Sequence, residues 1–276
     1  MCETCGCSNQ EHNKPTVGKP MHYTASGQNK EHHHHDGQYV GHHHEDTHIM
    51  NSNNSNNEVR IEEDVLTENN RLALENRLFF DDHQIITLNL MGSPGSGKTT
   101  LIMKTIETLK AEKAIYVIEG DQFGSLDSDR IRETGVKVIQ INTGNGCHLD
   151  AISVSQAVNK LKPVKGSLVL IENVGNLVCP SLFKLGEHQR VVVFSVTEGD
   201  DKPIKYAPMF HEASVCIINK TDLLGFVPFD MEAAMSNLKK INNTLKVFPV
   251  SAYRGHDMEL WIQYLKSVIN VSGTEQ

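Results

Sequence analysis

The sequence predicts an α/β fold: a mostly parallel sheet flanked by helices and preceded by a disordered, metal-binding N-terminal region. Three observations lead there. From residue 83 onward, short apolar runs alternate with helix-length segments, the pattern of strands buried on both faces beneath crossover helices. A glycine-rich GSPGSGKTT follows the first of these runs, in the strand–loop–helix order that a phosphate cradle needs. Residues 1–60 hold only 13 hydrophobic residues, too few to offset the entropy of ordering that stretch.

Residues 1–57 are rich in His, Asn, Ser and Gly and end in NSNNSNN; they read as a disordered Cys/His-rich region closing in a linker. Residues 58–82 read as a helix, because Val65, Leu72 and Phe79 recur every seven residues with Ile61 and Leu78 nearby. Residues 83–276 form the main domain. Strands are predicted at Ile85–Met91, Ala114–Glu119, Val136–Ile141, Ser167–Glu172, Arg190–Val196, Ser214–Asn219 and Lys246–Val250. Helices are predicted near 98–112, 126–134, 148–161, 229–241 and 257–270, joined by right-handed crossovers.

A net charge of −8 with no long basic run argues against general binding to nucleic acid or an anionic membrane. No apolar run approaches the ~18 residues that span a bilayer. The opening MCETCGCSNQEHNK lacks the apolar core of a secretion signal, so a cytoplasmic location is expected. Six cysteines in that reducing setting point to metal binding or catalysis rather than disulfides.

The phosphate loop runs Gly92, Ser93, Pro94, Gly95, Ser96, Gly97, Lys98, Thr99, Thr100 and matches GxxxxGK[ST] in full. Glycines let backbone N–H groups turn inward around phosphate oxygens, and the following helix adds its positive N-terminus. Lys98 is expected to reach the β- and γ-phosphates, and the Thr99 hydroxyl to bind Mg²⁺. Asn219-Lys220-Thr221-Asp222, directly after the apolar SVCII, resembles the NKxD guanine motif. Asp222 can accept two hydrogen bonds from guanine, a donor pair that adenine lacks. The Lys220 stem would pack over the ring and Asn219 would tie this loop to the phosphate loop. Ser251-Ala252 would offer a backbone N–H to guanine O6. These motifs specify the fold as a P-loop GTPase with GTP as substrate.

Two carboxylates fall at strand ends, where open α/β sheets bind ligands. Asp121, in EGD, is the candidate for holding Mg²⁺ or the attacking water. Glu172, in ENVG, stands where many GTPases carry the Asp of DxxG. No glutamine is obviously placed to orient the hydrolytic water, so intrinsic turnover should be slow and rest on positioning and charge.

Soft metal ligands form two groups. Cys2, Cys5 and Cys7 place three thiolates within six residues, a set suited to Zn²⁺ or Ni²⁺. Cys147-His148, in GNGCHLD, and Cys179, in GNLVCP, form the second. Cys179 lies seven residues after Glu172, so metal held there would touch a segment that senses the γ-phosphate. Buried thiols are the alternative for Cys147 and Cys179, and Cys216, inside an apolar run, reads as core. Eight histidines between 32 and 48 add imidazoles for Ni²⁺, Zn²⁺ or Cu²⁺.

Taken together, CETCGC, the His-rich tract, GSPGSGKTT, EGD, GNGCHLD, ENVGNLVCP and NKTD resemble the HypB family of hydrogenase nickel-incorporation GTPases. The resemblance covers about 58–270 and the extreme N-terminus. It implies GTP hydrolysis coupled to nickel delivery into the [NiFe]-hydrogenase large subunit precursor. It also implies a homodimer and cooperation with a HypA-type nickel metallochaperone. By resemblance, Cys2, Cys5 and Cys7 form a tight nickel site, and Cys147, His148 and Cys179 a nickel or zinc site on the G domain. A urease-type nickel-insertion GTPase shares the fold but carries a compact Cys-Pro-His. A nickel storage or buffering protein with a vestigial nucleotide site is the third reading, opposed by the intact Lys98, Thr99 and Asp222.

Overall fold

The computed structural model describes residues 52–122, 124–144 and 146–271, with the side chains of all but 52–62 and 271. Helix α1 (Ser52–Asp82) leads into strand β1 (Ile86–Met91), which the phosphate loop joins to α2 (Lys98–Leu109). Then come β2 (Ile115–Asp121), α3 (Leu126–Arg132), β3 (Lys137–Asn142), α4 (Ala151–Leu161) and β4 (Leu168–Glu172). The short α5 (Cys179–Leu182) precedes β5 (Gln189–Ser195), and α6 (Lys202–Lys205) and α7 (Ala207–His211) precede β6 (Val215–Asn219). The chain closes with α8 (Met231–Ile241), β7 (Lys246–Pro249) and α9 (Met258–Val271).

All seven strands pair in parallel, in the order β3-β2-β4-β1-β5-β6-β7. The inner strands are Val, Ile and Leu-rich because both faces are covered. On β1 the period-2 alternation divides the core. Leu88 and Leu90 join Leu101, Ile102, Trp261 and Leu265 beneath α2 and α9. Met91 faces the other way, among Phe194, Phe210 and Leu238. Phe80, Ile85, Val154 and Ile171 fill the layer beneath α1 and α4. The single Trp261 is 1% exposed and its indole N–H donates to Thr105 Oγ1 at 3.0 Å. Asp150 and Asp230 cap α4 and α8 by accepting from Ser153 N and Ala233 N, satisfying donors that a helix start leaves free.

Helix α1 departs from expectation in two ways. It begins at Ser52, inside the tract read as linker, because no Gly or Pro interrupts residues 52–82. Its buried face is Asn69, Ala73, Asn76 and Phe80, whereas Val65, Leu78 and Phe79 of the expected apolar row are exposed. The two asparagines are satisfied there. Asn69 donates to Lys184 O and accepts from Ala151 N, and Asn76 donates to Ala151 O and Leu185 O. Helix α4 starts at Ala151 rather than 148, and β2 runs on to Asp121. Helices α5, α6 and α7, of four or five residues, are too short to show a period. Among the described residues no helix is long and apolar enough to cross a membrane.

Candidate functional site

Strand β1 delivers Gly92 against β5 so closely that a Cβ there would stand 2.1 Å from Val193 O. At the far end of the loop, Gly97 adopts φ +96° at the start of α2, and a Cβ would lie 2.3 Å from Asn219 Nδ2. Only glycine fits both the left-handed backbone and that approach. Lys98 and Thr99 follow in the first turn of α2, each 7% exposed. Lys98 Nζ curls back to donate to Gly92 O at 3.2 Å and Ser93 O at 3.3 Å, poised inside the loop it would share with phosphates. Burial pulls its pKa down, against the pull of Glu172, Asp127, Glu198 and Asp121.

The carboxylates expected at strand ends are there. Thr99 Oγ1 donates to Glu172 Oε1 at 2.7 Å, so Glu172 from β4 meets the helix start directly. Burial pushes the Glu172 carboxyl up to about 7, with Lys98 and the Thr99 hydrogen bond pulling it down. Burial, then Glu172, Asp121 and Asp127, push Glu119 up to about 8. Glu119 Oε2 and Glu172 Oε2 are buried without a hydrogen-bond partner. Acceptor-only oxygens so placed call for a proton or a cation. A hydroxyl and several carboxylates make a hard oxygen set that fits Mg²⁺.

These groups line a cleft of about 520 Å³ that includes Gly95, Gly97, Lys98, Thr99, Thr100, Asp121, Glu172 and Lys220. Gln122, Asp127 and Arg130 also line it, and none of them belongs to a motif that the sequence marks. Gln122 is a glutamine beside the phosphate loop after all. Its position one residue past a strand-end carboxylate was the available signal. Its Nε2 donates to Gly146 O at 3.2 Å, reaching from the cleft to the loop that carries Cys147.

Asn219 latches the Asn219–Asp222 loop to the phosphate loop. Its Nδ2 donates to Ser96 O at 2.9 Å, and its Oδ1 accepts from Lys220 N at 2.8 Å and Ala252 N at 3.1 Å. Lys220, in left-handed conformation at φ 63°, donates from Nζ to Gly95 O at 2.7 Å. Ser251 Oγ donates to Asp222 Oδ1 at 2.5 Å, fixing the carboxylate. The Ser251–Ala252 backbone differs from expectation. Ser251 N–H donates to His256 O, and Ala252 N–H goes to Asn219, so the donor assigned to guanine O6 is already engaged within the protein.

Cys147, His148 and Cys179 come together: one ligand atom from each lies within 4.8 Å of the others. Strands β3 and β4 flank β2, so the loops leaving them emerge at the same end of the sheet. Cys147 Sγ lies 3.7 Å from His148 Nδ1. The His148 ring stacks on Phe183 with centroids 3.7 Å apart. Burial lowers the His148 pKa, against Asp150, favouring the neutral imidazole that ligates metals. The Cys147 hydrogen bond, then burial, raise the Cys179 pKa; a bound cation would reverse that bias. The N/S donor set suits Ni²⁺ or Zn²⁺. Cys216 is fully buried in β6 and is core. Cys2, Cys5, Cys7 and the histidines between 32 and 48 lie outside the described residues.

Residues 86–249 match the family model for the CobW/HypB/UreG nucleotide-binding domain. The chain is 50% identical over 208 residues to hydrogenase maturation factor HypB of Azotobacter chroococcum mcd 1, covering 75% of this chain and 68% of that one. The crystal structure of hydrogenase maturation factor HypB from Archaeoglobus fulgidus aligns with TM-score 0.70 at 41% identity, over 74% of this chain and 100% of that one. HypB from Helicobacter pylori, crystallised in complex with nickel, aligns with TM-score 0.71 at 35% identity, over 74% of this chain and 96% of that one.

Proposed function

Because the chain belongs to the HypB family of hydrogenase maturation factors, we propose that it is a GTP-hydrolysing nickel metallochaperone that inserts nickel into the [NiFe]-hydrogenase large subunit. One observation carries this reading. A single short segment, 172–179, supplies Glu172 to the nucleotide cleft and Cys179 to the Cys147–His148–Cys179 cluster. The same segment is held against the phosphate loop by a bridge between Gly92 and Asn176.

The residues divide the work. Backbone N–H groups from Gly97 to Thr100, with Lys98, hold the phosphates, and Asp222 selects guanine over adenine. Thr99, Asp121 and Glu172 are the groups that would hold Mg²⁺, whose charge neutralises phosphate oxygens. Asp121 and Gln122 face the same cleft and are the candidates for orienting the attacking water. Nickel is cargo. Cys2, Cys5 and Cys7 capture it, and the cluster on the folded domain takes Ni²⁺ or Zn²⁺. Three protein donors leave its coordination open, to be completed by a second copy of the chain in a homodimer or by the HypA-type metallochaperone during transfer.

The test is a reconstituted transfer assay with full-length chain, HypA-type metallochaperone, large subunit precursor, GTP and ⁶³Ni. GTP-dependent nickel appearance in the precursor is expected, abolished by Lys98→Ala, which should still bind nickel at Cys2, Cys5 and Cys7. Nickel binding without GTP turnover would replace this reading with storage or buffering.

A further inference from the structure

The cluster of Cys147, His148 and Cys179 is assembled from two loops whose ligands already touch, through Cys147 with Cys179 and His148 on Phe183. Behind them runs a set of buried polar side chains that the nucleotide and metal chemistry leaves unexplained. Asn173, 1% exposed, sits one residue after Glu172 and lines the nucleotide cleft. Its Oδ1 accepts from Leu149 N at 3.1 Å, holding the backbone just past His148. Its Nδ2 donates to Asn89 Oδ1 at 3.2 Å. Asn89, fully buried in β1, donates from Nδ2 to Glu187 Oε1 at 3.2 Å. Glu187 Oε1 also accepts from Arg190 Nε at 2.7 Å. Arg190 then donates to Ser181 O at 3.0 Å and Phe183 O at 3.2 Å, the backbone that ends the helix begun by Cys179. The Phe183 ring, stacked on His148, closes the circuit.

Each member is chemically suited to its place. An amide donates and accepts at once, so the two asparagines pass a single hydrogen-bond polarity from Leu149 N to the carboxylate without an unsatisfied atom. The planar guanidinium reaches two carbonyls and the carboxylate together, which an ammonium does not match. Burying four polar side chains is costly unless the network is complete, and here every link is made.

We propose that Asn173, Asn89, Glu187 and Arg190 are positioning residues that hold the Cys147–His148 limb and the Cys179 limb in mutual register and tie both to the segment that lines the nucleotide cleft. The proposal rests on the reading of Cys147, His148 and Cys179 as a metal site. Groups behind a site's ligands commonly set metal affinity by 10–100-fold, so loss of any link should weaken the site by roughly tenfold or more.

The experiment uses full-length chain carrying Cys2→Ser, Cys5→Ser and Cys7→Ser, titrated with Ni²⁺ and separately Co²⁺. The thiolate-to-metal charge-transfer band reports cysteine ligation above any imidazole background. Cys147→Ala and Cys179→Ala should abolish the band; a band that survives both refutes the metal-site reading itself. Given that control, Asn89→Ala, Asn173→Ala and the milder Arg190→Lys should each shift or weaken the band and lower affinity at least tenfold. The Asn89→Ala/Asn173→Ala double variant should lose no more than the worse single one, because either substitution breaks the same chain. Folding is checked by Trp261 fluorescence, and Arg190→Lys, which keeps its charge beside Glu187, should retain GTP affinity. Wild-type band position and affinity in folded Arg190→Lys and Asn173→Ala would overturn the proposal. So would fully additive losses in the double variant.

Discussion

Replacing Asn219 with alanine tests whether one buried amide holds the phosphate loop and base loop together. The side chain is 2% exposed and makes three hydrogen bonds, to Ser96 O, Lys220 N and Ala252 N. Ser96 and Ala252 are buried, so Asn219→Ala strands one carbonyl and one N–H, while the half-buried Lys220 N–H can turn to water. A buried group deprived of its partner costs about 1–3 kcal/mol, so the two together cost roughly 2–6 kcal/mol. Against a typical domain stability of ~5–15 kcal/mol, that is a large fraction. Urea unfolding followed by the fluorescence of Trp261 measures it from one buried reporter, since no other tryptophan exists. The midpoint should fall with little change in slope, and GDP affinity should fall with it. A loss under about 1 kcal/mol together with GDP affinity within twofold of wild type would refute the latch.

Asp222→Asn should weaken GTP binding and relax discrimination against XTP, read by competition with a fluorescent guanine nucleotide; unchanged affinity for both would remove Asp222 from the base site. Peptide mapping after brief alkylation should find Cys147 and Cys179 modified and Cys216 protected, because burial raises the Cys216 thiol pKa well above its usual range. His188 is held neutral by burial and by Arg77, against Asp81, so its folded pKa lies below that of the unfolded ring. Stability from this group is therefore present above pH ~6.5 and lost as pH falls below it. His188→Gln should narrow the difference in Tm between pH 7.5 and 5.5. Deleting residues 32–48 should reduce nickel ions bound per chain in equilibrium dialysis while sparing the GTPase rate.

The strands and the phosphate loop were legible because their physics is local. A strand buried on both faces must be a continuous apolar run, and a phosphate cradle needs glycines at fixed spacing. The orientation of α1 was not legible. Asn69 and Asn76 are placed inward by the backbone groups of Ala151, Lys184 and Leu185, and an apolar pattern scores them as surface. Likewise, Cys147, His148 and Cys179 could be marked as ligand types, but their meeting depends on β3 and β4 flanking β2, which no local pattern encodes. The engaged Ala252 N–H is a tertiary fact of the same kind.

The strand order has a consequence for synthesis. Strand β1 is made before both of its neighbours in the sheet, β4 and β5, the second of which ends roughly a hundred residues later in the chain. At ~5–20 residues per second, a ribosome takes on the order of 5–20 s to cross that gap, and until Ser195 emerges β1 lacks one of its two partners. The loop after β1 is thus translated well before the strand that packs against its first glycine. A nascent chain cut short before Gln189 carries every residue of GSPGSGKTT but lacks the β5 backbone against which Gly92 packs.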